Sequence, residues 1–267
     1  MTALTVTRQV PQATTTYAPA SFARILGVEL RKMFDTRSGA WMLASIVITS
    51  ALATTAVVLW APEEELTYEM FASAIGIPMT IVLPIIAILS VTSEWSQRTG
   101  LTTFTHFPSR GRVITAKAVC AVAVGAVAIP VAAAVGALGN VVGTAIAGTD
   151  AVWNVSAAEL SNIVLANVLG LMVGFMLGVV TRSSAAAVVT YFVYTLVLPP
   201  LSSLLASTQE GFRDVQPWVD FTYAQSRLFE DGSLTAEQWA QLGTSTMLLL
   251  VLPLVAGVAF VMRSEVK

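Results

Sequence analysis

Residues 70–142 read MFASAIGIPMTIVLPIIAILSVTSEWSQRTGLTTFTHFPSRGRVITAKAVCAVAVGAVAIPVAAAVGALGNVV. Two apolar runs, Met70–Thr92 and Ala118–Val142, flank a short segment that holds Arg98, Arg110, Arg112 and Lys117. A helix crossing a ~30 Å hydrocarbon core needs about 20 mainly apolar residues. Each run meets that length without a single Asp, Glu, Lys, Arg or His. The pair reads as two membrane-spanning helices joined by a basic turn.

The rest of the chain repeats the pattern. Of its 267 residues 55% are hydrophobic and 11% charged, and the mean hydropathy is +0.76. A soluble domain carries roughly 25% charged residues, so this supply cannot build a water-facing surface. Further spans are expected at Trp41–Trp60, Leu160–Val180, Ala185–Leu205 and Thr244–Met262. The first is bounded by Trp at both ends, as interfacial anchoring prefers. In the fifth, Pro199 and Pro200 remove backbone donors. The helix is expected to end near Leu198, with Leu201–Ala206 completing the crossing at an angle or folding back. The fold class is therefore all-α membrane protein with six transmembrane helices. Residues 1–20 are Thr-rich, lack the apolar core of a cleavable signal, and read as a flexible cytosolic tail. Residues 21–267 then form one six-span domain. It opens with a helix from about Ser21 to Asp35 whose stripe of Phe22, Ile25, Leu26, Leu30, Met33 and Phe34 suits the membrane surface. A cytosolic extension of the first span is the other reading of that helix.

Orientation follows from Lys and Arg. With the N-terminus inside, Arg8, Arg24, Arg31, Lys32, Arg37, Arg98, Arg110, Arg112, Lys117, Arg182, Arg263 and Lys267 are cytosolic, twelve of the fourteen. The acidic residues divide the opposite way, with Glu63, Glu64, Glu65, Glu69 and the acids of 207–243 outside. Both termini are expected to be cytosolic.

The expected spans hold no ionisable residue, whereas proton- and ion-coupled transporters usually keep such groups at mid-membrane. The only histidine, His106, falls in the loop, and neither H-E-x-x-H nor G-x-S-x-G occurs. The single Cys120 excludes a disulfide framework and a Cys-based metal site. No catalytic, cofactor or metal site is expected on this chain. It also lacks a P-loop, so any ATP and Mg2+ would be held by another polypeptide. The net charge of −2 carries no nucleic-acid signal.

Gly170, Gly174 and Gly178 recur at every fourth residue and put a close-approach face on the fourth span. That face serves either intrachain packing or a dimer contact. Asn140, Asn162 and Asn167 read as meeting local polar needs at or near span ends, with a substrate role as the lesser reading. Pro78, Pro84, Pro130 and Pro253 read as kinks. Thr235 and Gln238 have capping-box spacing, which predicts a helix running into the last span.

In the basic turn, Glu94 and Arg98 are four apart and able to pair on a helix leaving the second span. Leu101, Phe104 and Phe107 then line up at every third residue, an apolar ridge that suits a protein contact. This segment resembles the permease subunits of ABC-2-type ATP-binding-cassette transporters. The match rests on Glu94 ending the second span, Arg98-Thr99, Thr103-Phe104, Pro108, Arg110 and Lys117. The stretch ELRKMFDTRSGAWML at 29–43 is similar to the family's interfacial helix leading into the first span. The resemblance implies an interfacial helix within 21–40 and a coupling loop at 94–117. It implies ATPase-coupling roles for Glu94, Arg98, Thr99, Leu101, Thr103, Phe104, Phe107 and Arg110. It also implies short re-entrant or outer helices in 207–243, although that outer stretch is longer and more acidic than the simplest members have. The implied function is export, with a separate ATPase as partner, a dimer with itself or a paralogue, and membrane lipid around it. An amphipathic or lipid-like cargo suits the uncharged spans. The rival readings are a secondary transporter or channel working alone, and a membrane scaffold or immunity protein.

Overall fold

The computed structural model describes residues 21–35, 37–96, 110–230 and 232–263. Helix α1 covers Phe22–Asp35 and α2 Arg37–Trp60. Next come α3 at Tyr68–Ser96, α4 at Arg110–Ala147 and α5 at Ala157–Thr181. Helix α6 at Ser184–Phe192 passes through a π turn at Val193–Val197 into α7 at Leu198–Thr208. Two short helices follow, α8 at Glu210–Val219 and α9 at Phe221–Ser226. Finally α10 at Ala236–Thr246 runs through a second π turn, Met247–Val251, into α11 at Leu252–Arg263. No strand forms among the described residues, only an isolated bridge between Thr67 and Val152.

Five of these helical stretches are long and apolar enough to cross a membrane: Tyr68–Ser93, Gly111–Ala147, Ala157–Thr181, Ser184–Thr208 and Ala236–Arg263. The described apolar part of α2, Ala44–Trp60, is shorter. Trp41 and Trp60, which bound the expected first span, are both largely exposed.

Helix α3 sits at the centre and packs most closely on α5, then on α4 and α2. The core between them buries Met79, Leu83 and Val91 against Leu171, Phe175 and Val179. The glycine face makes this seam possible. A Cβ at Gly174 would strike the Pro84 backbone, and one at Gly178 would strike Val91. Both glycines thus serve packing within the chain, which lets α3 and α5 meet backbone to backbone. Gly170 instead faces Gln225 of α9.

The prolines are accommodated in two ways. Each π turn lies just ahead of proline, one before Pro199-Pro200 and one before Pro253. A widened turn gives the pyrrolidine ring room and absorbs the missing donor. The fifth span therefore does not stop near Leu198 as expected; helix continues to Thr208. In α3, Pro84 cannot donate to the carbonyl of Thr80. The hydroxyl of Tyr191, on α6, donates to that carbonyl instead.

The 207–243 region is mostly helical. Phe221, Ala224 and Leu228 are buried against Ala166 and Val173 of α5 and against Leu242 and Leu250 of the last span. The Thr235 hydroxyl accepts from the Gln238 N–H at 3.2 Å, and the Gln238 side chain accepts from the Thr235 N–H at 2.8 Å. That capping box starts a helix that runs on into the last span, as the spacing predicts. A second box, Ser156 with Glu159, starts α5.

Candidate functional site

Residues 97–109 lie outside the described residues, and with them Arg98, Thr99, Leu101, Thr103, Phe104 and Phe107. Glu94 falls in the last turn of α3, and Arg110 opens α4. Of the expected coupling loop at 94–117, residues up to Ser96 belong to α3 and residues from Arg110 to α4. The structure describes the base on which that loop stands.

The base is held by a buried ion pair. The Lys117 ammonium lies 2.6 Å from Glu29 Oε2, and both side chains are under a tenth exposed. Lys32, one turn along α1, reaches Glu29 Oε1 at 2.7 Å from a half-exposed position. Burial alone would raise the Glu29 pKa. The charges and hydrogen bonds of Lys117 and Lys32 outweigh it and hold the carboxyl below its usual value. Lys117 also approaches the Ser90 carbonyl of α3 at 3.5 Å. One ammonium therefore ties α1, α3 and α4 together.

This placement corrects two expectations. Lys117, expected among the basic residues of the inter-span segment, is buried in the bundle. The buried face of α1 is also not purely apolar: Ile25 and Leu26 pack on Val113 and Ala116, and Glu29 follows one turn later on the same side. Phe22 and Leu30, counted in the apolar stripe, are exposed. A carboxylate four residues after a buried Ile was the local signal for Glu29. Its partner, 88 residues away, left none in the sequence.

Two further tethers close the base. The Thr92 and Ser184 hydroxyls sit 2.7 Å apart and join the end of α3 to the start of α6. Past the end of α5, Arg182 takes a left-handed backbone (φ 54°), and its N–H bonds the Gly178 carbonyl. Its guanidinium lies over the Phe260 ring of α11, 4.5 Å from the centroid. A cation on an aromatic face contributes roughly 0.5–2 kcal/mol, depending on how dry the site is.

Asn140 and Asn167 are both fully or almost fully buried. Asn140 donates to the Val152 carbonyl at 3.0 Å and so pins the segment before α5. Asn167 is not near a span end. Because α5 begins at Ala157, Asn167 falls almost three turns inside it. Among the described residues no group of three or more His, Cys, Asp or Glu could hold a metal ion. A scan against protein-family models finds no match for this chain, and a search of curated proteins finds no significant relative.

Proposed function

We propose that this chain is the membrane-spanning subunit of an ATP-driven exporter of the ABC-2 type, with six spans, both termini cytosolic, in a bacterial cell membrane. It dimerises with itself or a paralogue and engages a separate ATP-binding-cassette ATPase, which holds the ATP and Mg2+. The loop at 97–109 is the contact, with Leu101, Phe104 and Phe107 as its apolar ridge. The cargo is amphipathic or lipid-like.

The observation that supports this reading best is the buried Glu29–Lys117 pair at the loop base. A loop that only joins two spans needs no such lock. A loop that transmits force does, because a push on it must move α3, α4 and the amphipathic α1 as one body rather than be lost in bending. Rigid-body motion of packed helices is a common way to carry such a signal. The lack of a P-loop fits an engine on another chain. The test is to purify the tagged chain from its native membrane and identify what accompanies it. A Walker-motif ATPase whose turnover depends on this chain is the expected result. A chain that purifies alone and moves solute without ATP would overturn the proposal.

A further inference from the structure

Partway along the bundle, α3, α5, the π turn after α6 and α9 surround a cavity of about 370 Å3. Small-molecule sites typically measure about 300–1,000 Å3. Its lining includes no Asp, Glu, Lys, Arg or His. Apolar groups such as Pro84, Val173 and Phe192 make up much of the wall. At Gly170 the missing side chain keeps the space open, since a Cβ there would meet Gln225 only at 3.4 Å.

The polar groups of the wall do not serve the space they surround. The Thr195 hydroxyl donates to the Tyr191 carbonyl at 2.9 Å, and the Ser226 hydroxyl to the Tyr223 carbonyl at 2.8 Å. Asn167 donates its NH2 to the Ile163 carbonyl at 2.8 Å, and Gln225 donates its NH2 to the Ala166 carbonyl at 2.6 Å. The Asn167 oxygen and the Tyr194 hydroxyl have no hydrogen-bond partner, but both atoms are buried with essentially no accessible surface. Neither can therefore touch an occupant. What an occupant meets is mainly hydrocarbon. Water suits such a space poorly, because an ordered water needs about two to four polar partners.

The mouth opens toward the bilayer. Ile77 and Ile81 of α3 and Leu196 of the π turn line the cavity, yet they are 70%, 38% and 62% exposed. They lie on two of the five helical stretches long and apolar enough to cross a membrane. We infer that this cavity takes an acyl chain of a membrane phospholipid, which enters between α3 and the fifth span and leaves its headgroup outside. Burial of apolar surface holds the chain. A headgroup drawn inside would lose its water and find no charge to pair with. The inference does not rest on the exporter reading, and its test involves no ATPase.

The experiment uses the full chain in nanodiscs doped with a phospholipid that carries a diazirine near the end of one acyl chain, with cross-links mapped by mass spectrometry. Val255, 60% exposed on the last span, is the reference for ordinary contact with lipid. Cross-links are expected on Val173 and Phe192, inside the wall, as well as on Val255. Relative to Val255, their yield should be the same for phosphocholine and phosphoglycerol headgroups. A probe with the diazirine in its headgroup should leave both residues unlabelled. Gly170→Leu should fill the space, and Ile81→Trp should narrow the mouth from an exposed position that folding tolerates. Each should remove the label from Val173 and Phe192 while Val255 keeps its own. Label confined to exposed helix faces in the wild type would overturn the inference. So would wall labelling by the headgroup probe, dependence on headgroup type, or wall label that survives in both variants.

Discussion

The loop end of the bundle buries full charges, whereas the cavity between α3, α5 and α9, partway along these helices, is lined by neutral amides and hydroxyls among apolar groups. Glu29 and Lys117 satisfy one another at 2.6 Å, with Lys32 on the second carboxylate oxygen. Asn167 leaves an acceptor open. A paired charge in a tight seam resists separation, because each partner alone would be an uncompensated buried ion. A buried acceptor without a donor instead costs about 1–3 kcal/mol. The charged seam is thereby held by its partners, whereas the Asn167 position carries an unmet cost.

That contrast orders the expected effects of substitution. Lys117→Met leaves the buried Glu29 carboxylate with the half-exposed Lys32 as its charged partner and should destabilise the protein by up to about 3–5 kcal/mol, read as a loss of thermal stability in detergent. Adding Glu29→Met should recover most of the loss, since replacing a whole buried pair by apolar groups is often neutral. A double variant as unstable as the single one would mean that packing, not charge, dominates the seam. Tyr191→Phe should cost less, about 1 kcal/mol as for other hydrogen bonds inside membranes, because the Thr80 carbonyl loses its donor. Combined with Pro84→Ala, which restores a helical N–H to that carbonyl, its cost should shrink. Full additivity in that double-mutant cycle would deny the link between the proline and the tyrosine.

Acid should weaken the loop end selectively. Lys117 and Lys32 hold the Glu29 carboxyl below the ordinary carboxylate value in the folded chain. Its contribution is therefore complete above that value and fades as pH falls through the folded pKa. The stability gap between wild type and Glu29→Gln should be constant at neutral pH and close below about 4.5. A gap independent of pH would contradict the paired carboxylate. The smallest effect belongs to the interior of α5. Asn167→Leu should leave thermal stability unchanged or slightly raised, because it removes an unsatisfied acceptor. A large drop in stability would instead make Asn167 a structural residue.

Five of the spans were legible because lipid imposes a crude rule: length without charge. The capping box at Thr235 was legible because its bonds are local in sequence. The course of the fifth span was not, since Pro199-Pro200 announces a missing donor but not whether the chain will break or widen a turn. The Glu29–Lys117 pair was hidden by its separation, although Glu29 four residues after Ile25 marked the right face of α1. Asn167 lies deeper than a position at or near a span end, because α5 starts at Ala157 behind the Ser156 cap, ahead of the expected Leu160. The apolar ridge Leu101, Phe104 and Phe107 is read from its spacing and lies outside the described residues.

The central claim is that this ridge couples the membrane bundle to an ATPase across the locked base. Phe104→Ala in the complex with the partner ATPase tests it most directly, with turnover and co-purification measured beside wild type. An interface anchor typically contributes about 2 kcal/mol or more, which is roughly a thirtyfold loss of affinity. The expected result is that stimulated turnover collapses or the partner is released, while the chain still inserts and keeps its thermal stability. Wild-type turnover and wild-type co-purification in Phe104→Ala would contradict the coupling role and the exporter with it.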